Sequence, residues 1–88
     1  MEWAPNPLVI LQQTEAGAVL LETSTGECFE LNHVGVEIWT SIAAGQAEDL
    51  IATALAKRYG ITESTAASDI STLVGDLTRH GLLARPRR

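Results

Sequence analysis

Apolar positions follow two different periods along this chain, and the change from one to the other falls at Asn32. From residue 27 to 31 the pattern alternates. Glu27, Phe29 and Leu31 share one face and Cys28 and Glu30 the other, the period of a strand with one side covered. Residues 18–23 are rich in leucine and β-branched side chains, and Ser24-Thr25-Gly26 supplies a three-residue turn ending on glycine, which suits a hairpin. A shorter apolar run, residues 8–11, precedes a turn-like stretch over 12–17, and Pro5 and Pro7 around Asn6 read as an extended lead-in. These features predict a three-stranded antiparallel meander with its third strand at an edge.

After Asn32 the period becomes helical. Asn32 is suited to capping, because its side-chain oxygen can accept from the free amides of the first turn. Val34, Ile38 and Ile42 follow at four-residue intervals with Trp39 beside them, and Gly45 closes the segment. A second helix is expected over residues 46–59, with Leu50, Ile51, Ala54 and Leu55 on its apolar side and Gly60 as its stop. A third starts near Thr62 and repeats Ala66, Ile70, Leu73, Val74 and Leu77 at three- and four-residue spacing. Gly81-Leu82-Leu83 then returns an apolar plug to the core. Three strands followed by three helices make an α+β domain. The last two helices, joined at Gly60-Ile61, resemble a helix-turn-helix and the hairpin a wing, so the expected architecture is winged helix-turn-helix-like. One domain over residues 1–88, with a core over about 8–83 and a basic tail over 84–88, is the simplest division.

Charge alters this picture by its position. Residues 1–78 hold all eleven Asp and Glu against only Lys57 and Arg58, a net of −9, and Arg79, Arg85, Arg87 and Arg88 bring the total to −5. The third helix, which a winged-helix protein inserts into the major groove, carries Glu63, Asp69 and Asp76 against Arg79 alone. It would meet phosphate with like charge, whereas nucleic-acid affinity needs several cationic contacts. Cys28, His33 and His80 form no zinc pattern, no Ser or Cys stands in a recognised nucleophile arrangement, and the seven glycines are scattered singly rather than grouped as a phosphate loop. The expectation is a protein with no catalytic centre, metal or cofactor. No run approaches the roughly 18 apolar residues of a membrane span, and the amino terminus lacks the basic and apolar regions of a signal peptide. With one cysteine asking for no oxidising compartment, the expected location is the cytoplasm.

Two features point to a polypeptide ligand instead. An edge strand exposes unpaired amides and carbonyls, a liability unless they are blunted or used, and strand addition to such an edge captures extended peptides. On the third helix, Ala66, Ile70 and Leu77 fall within about 40° of one another, with Leu73 at the margin of that stripe and Asp69, Asp76 and His80 beyond it. A peptide laid along residues 27–31 would send alternate side chains over Phe29 and Leu31 toward this acid-rimmed border.

The segments "LLETSTGECFELNHVGVEIWTSI", "AGQAEDLIATALAKRYG" and "ASDISTLVGDLTRHGLL" together resemble the PqqD-like family over about residues 8 to 83. The ordered features are Gly26, Phe29, Leu31-Asn32, Gly35, Ile38-Trp39, Gly45, Asp69 and Gly81-Leu82-Leu83. The chain departs from many members at His33-Val34, where they carry a small polar pair. The resemblance implies a recognition domain for ribosomally made, post-translationally modified peptides. Such a domain is a non-catalytic adaptor that binds the precursor's leader segment as an extra strand beside the third strand. It then presents the leader to separate enzymes. The stand-alone lasso-peptide members, which work with a leader peptidase and a cyclase, are most similar, and members that carry the precursor of pyrroloquinoline quinone are the nearest siblings. By position, the implied leader-contacting residues are Glu27, Cys28, Phe29, Glu30 and Leu31 on the strand and Asp69, Ile70, Leu73, Asp76 and Leu77 on the helix, with Gly35, Ile38 and Trp39 as framework. Neither a nucleic acid nor a membrane is an expected partner. Two other readings stay open: a winged-helix transcriptional regulator that binds DNA, and a structural subunit whose edge strand pairs with its own copy.

Overall fold

A computed structural model describes residues 3–84 of the chain. Five strands and three helices follow in the order β1 (Ala4–Pro5), β2 (Val9–Thr14), β3 (Gly17–Glu22), β4 (Cys28–Asn32), α1 (His33–Ala43), α2 (Glu48–Tyr59), α3 (Glu63–Arg79) and β5 (Leu83–Ala84). Strands β2, β3 and β4 form the expected antiparallel meander, with β3 central and β4 at an edge. The three helices follow it, so the α+β, winged helix-turn-helix-like architecture holds.

Alternation explains which side of the sheet is covered. Ala18 and Leu20 of β3 and Leu31 of β4 point inward and are buried, while Cys28 and Glu30 stay exposed. Helix α1 packs on β3 and β4 through Ile38, Trp39 and Ile42. Ala66, Ile70, Val74 and Leu77 bury the stripe of α3, and Leu82, fully buried, completes the core as the expected plug. Burying one such leucine stabilises the fold by about 1.5–3 kcal/mol.

The helix ends follow local chemistry. Asn32 Oδ1 accepts from the Gly35 amide at 2.8 Å, so one residue both ends β4 and caps α1. Thr62 caps α3 in the same way through the Thr65 amide at 3.0 Å. Helix α2 has no side-chain cap, but Glu48 and Asp49 in its first turn and Lys57 and Arg58 in its last complement the helix dipole. Its C-cap, Gly60, takes the left-handed conformation that stops a helix, with φ +68°.

Several expectations need correction. Helix α2 starts at Glu48 rather than Gln46, because the Gln46 amide bonds back to the Ser41 carbonyl at 3.1 Å and so still belongs to the exit from α1. It buries Ile51, Ala52 and Leu55, whereas Leu50 is 62% exposed and Ala54 is exposed too. The turn expected over 12–17 shrinks to Glu15 and Ala16, since Gln12, Gln13 and Thr14 continue β2 through backbone pairing with Val19, Ala18 and Gly17. The second hairpin reverses over residues 23–26, with Glu22 donating its amide to the Glu27 carbonyl at 2.9 Å. No local pattern announces the pair β1–β5, which joins Ala4 to Ala84 and Pro5 to Leu83 and so clasps the two ends of the described chain. Beside it, Asn6 bonds the backbone at Gly81 and Leu82, and the Trp3 indole donates to Glu48. The expected basic tail lies, apart from Ala84, outside the described residues.

Candidate functional site

Between the outer edge of β4 and helix α3 runs an open groove of about 410 Å³. Glu30, Leu31 and Asn32 form one wall, Asp69, Thr72, Leu73 and Asp76 the other, and Val34, Gly35 and Ile38 of α1 lie between them. Among the described residues β4 pairs only with β3, so its outer edge has no strand partner.

Three elements meet here for a local reason. Because Asn32 caps α1 without a loop, the first turns of that helix are set directly beside the last residues of β4. Gly35 makes the close approach possible. A Cβ on it would sit 3.2 Å from Leu31 Cδ2 and 3.3 Å from Leu31 Cβ, tighter than ordinary contact. Leu31 is thereby held at 4% exposure while lining the groove.

The expected site residues divide into three groups. Glu30, Leu31, Asp69, Leu73 and Asp76 line the groove together. Ile70 and Leu77, at 1% and 0% exposure, belong to the core and support α3 from beneath, so they are placed behind the wall and not on it. Glu27, Cys28 and Phe29 stand outside the lining. Cys28 is exposed, its thiol directed at the Gly26 carbonyl at 3.6 Å. Phe29 is half-buried and meets the His80 ring edge-on, with centroids 5.3 Å apart and planes at 62°. His80 Nδ1 in turn lies 2.7 Å from Glu27 Oε2. Sequence reasoning missed Asn32, Val34, Gly35, Ile38 and Thr72 as lining residues. The signal for Val34 and Ile38 is their stripe, which faces both core and groove; Gly35 and Ile38, expected as framework, line the groove as well.

The acidic rim is smaller than the sequence suggested. Asp76 pairs with Arg79 one turn later, and Glu27 is engaged by His80. The Glu30 and Asp69 carboxylates make no ion pair or hydrogen bond with any described residue, so they carry the groove's uncompensated negative charge. Asp76 also places a negative charge beside Arg79, the one cation of α3. Among the described residues no three His, Cys, Asp or Glu side chains are grouped to hold a metal ion. None of the described helices is long and apolar enough to cross a membrane.

Comparison with known proteins gives consistent findings. The family model for coenzyme PQQ synthesis protein D (PqqD) matches residues 17–83, from β3 to the start of β5. No curated protein sequence matches significantly. Among solved structures, one described as lasso peptide synthetase B1 complexed with the leader peptide superposes with a TM-score of 0.85 at 29% identity, covering 98% of this chain and all of that one. Another, TbiB1 in complex with the TbiA(beta) leader peptide, superposes with a TM-score of 0.84 at 25% identity, covering 97% and 99%.

Proposed function

The chain belongs to the PqqD family, and from that premise we propose that it is a non-catalytic adaptor for the leader segment of a ribosomally synthesised precursor peptide. The leader adds as a strand along the outer edge of β4 and sends alternate side chains into the groove against α3. The observation that carries this reading is the coincidence of an unpartnered strand edge with a groove lined at once by β4, α1 and α3. Main-chain bonds to the edge supply affinity and the groove supplies specificity. The two leader-bound structures, both similar over almost their whole length, support the lasso-peptide assignment over the quinone-cofactor one.

On this reading Cys28 to Leu31 of β4, with Glu27 just before them, offer the edge, and Asp69, Leu73 and Asp76 form the opposite wall, with Ile70 and Leu77 fixing its position. The adaptor presents the bound leader to a separate leader peptidase and a cyclase. Glu30 and Asp69 favour a leader with a lysine or a hydrogen-bond donor over the groove, an effect on encounter rate and selectivity more than on affinity.

A polarisation titration tests the proposal, with a labelled leader segment of a lasso-peptide precursor and a labelled DNA duplex in parallel. Saturation near or below micromolar with the leader alone is the expected result, about −8 kcal/mol or better. Salt-sensitive binding to the duplex and none to the leader would instead make the chain a winged-helix regulator.

A further inference from the structure

The inner-facing residues of β4 offer two successive positions for the side chains of an added strand, and only one of them is open. Residues i and i+2 of a strand share a face about 6.7 Å apart. The first position, over Leu31, is the groove itself. The second, over Phe29, is occupied from within the protein. Phe29 is half-buried yet absent from the groove lining, and the His80 ring stands edge-on against it.

His80 is held there on both sides. It is the C-cap of α3, its amide bonded to the Asp76 carbonyl at 3.1 Å. The chain then turns through Gly81 at φ +76° into buried Leu82. Beside it, the Glu27 carboxylate lies 2.7 Å from its Nδ1 and accepts from it in the tautomer that carries hydrogen there, and the Glu27 carbonyl is itself bonded to the Glu22 amide that closes the hairpin. The ring therefore ties the end of α3 to the start of β4. It fills the place where a second leader side chain would otherwise reach an aromatic floor.

We infer that His80 is a specificity-determining residue that shortens the groove to a single apolar subsite, so that the leader residue two positions from the anchored one, on the Phe29 side, is selected to be small. This inference rests on leader binding at β4. A bulky side chain at that position must either displace the ring and its contact with Glu27 or turn away into water. A small one leaves both contacts in place.

The test uses the intact chain and a set of leader peptides, based on the precursor leader that binds it, that differ only at that position: Ala, Val, Leu or Phe. For the native protein, replacing Ala by Leu is expected to leave affinity unchanged or weaken it. For His80→Ala, which uncovers Phe29, the same replacement is expected to strengthen binding about tenfold, in line with partial burial of the added carbons. His80→Gln, which can keep a hydrogen bond to Glu27 while removing the ring, is expected to fall with His80→Ala. The readout is the ratio of affinities across the peptides, which a general loss of stability would not change. Equal Leu-to-Ala ratios in all three proteins, with the native chain still binding the leader, overturn the inference alone. Absence of leader binding to the native chain overturns the proposed function with it.

Discussion

Replacing Gly17 by alanine tests how the groove wall is held from behind. Gly17 opens β3, opposite Asn32 in the ladder with β4, at φ +153°. A Cβ there would lie 2.0 Å from the Leu31 carbonyl oxygen and 2.8 Å from Asn32 Cα, both backbone atoms that no rotamer change can move. Two costs add: about 1–3 kcal/mol for a side chain at an unfavourable positive φ, and about 1–3 kcal/mol for overpacking. Gly26 separates them, since it also has positive φ, +79°, but nothing lies within 4 Å of its missing Cβ. Gly26→Ala should therefore show the backbone cost alone. In a domain of this size each kcal/mol shifts Tm by about 4–8 °C. Thermal melts followed by circular dichroism should give Gly17→Ala a Tm about 4–24 °C below that of Gly26→Ala. Leader affinity should fall as well for any Gly17→Ala protein that folds, because relief of the clash displaces Leu31 and Asn32 in the groove wall. Equal Tm losses in the two variants would refute the reasoning, since they would mean that the Leu31 carbonyl yields at no cost.

Gly75, inside α3, has only Arg79 Nη1 near its missing Cβ, at an ordinary 3.7 Å; Gly75→Ala is expected to stabilise the protein by about 0.5–1 kcal/mol in chemical denaturation, and a loss of stability would count against the helix geometry. Asp69→Asn should slow leader association about two- to fivefold at low salt for a leader with a lysine over the groove, an effect that vanishes when salt screens it. Asp76→Asn should slow it less, because Arg79 already offsets that charge, and equal effects in stopped-flow measurements would contradict this distribution of charge. The Glu22 carboxylate accepts from the Ser24 hydroxyl at 2.7 and 2.8 Å and from the Ser24 amide at 2.5 Å, which hold it below its ordinary pKa of 4.5. Its contribution to stability is thus complete above that value and is lost as pH falls through the lowered one. The stability difference between native protein and Glu22→Gln should accordingly shrink on acidification, and a difference independent of pH would exclude the carboxylate as its source.

Much of the site was legible because its walls come from patterns that are local in sequence. The alternation over residues 27–31 marked β4, Asn32 marked the start of α1, and the spacing of Ala66, Ile70 and Leu77 fixed how α3 presents Leu73 and Asp69. What was hidden depends on pairing or on partners distant in sequence. Gln12, Gln13 and Thr14 join a strand through their backbones, with no buried side chain to betray it. In α2, apolar residues at 50, 51, 52, 54, 55 and 56 surround most of the helix, so its sequence does not choose between Leu50 and Ala52 as the inward residue; packing does. The pairing of β1 with β5 joins two-residue segments some eighty positions apart. Likewise the acids of the rim are equivalent in sequence and differ only in their partners, Asp76 lying beside Arg79 and Glu27 beside His80.

The direct join between β4 and α1 now has a physical purpose. Asn32 ends the strand with an extended backbone, and its side chain takes the Gly35 amide, so the helix axis is set by the strand with no flexible residue between them. Leu31, just before the join, is confined from two directions by absent side chains: Gly35 admits its side chain beneath α1, and Gly17 admits its carbonyl against β3. A loop at this point would let β4 and α1 move separately, and binding would then have to order them at a cost in conformational entropy. With the join as it is, the strand edge and the groove beside it are fixed by the same two residues, and that cost is met in folding. If the groove receives a leader, the glycines at 17 and 35 serve recognition by holding Leu31 in place, although neither can offer a side chain to a ligand.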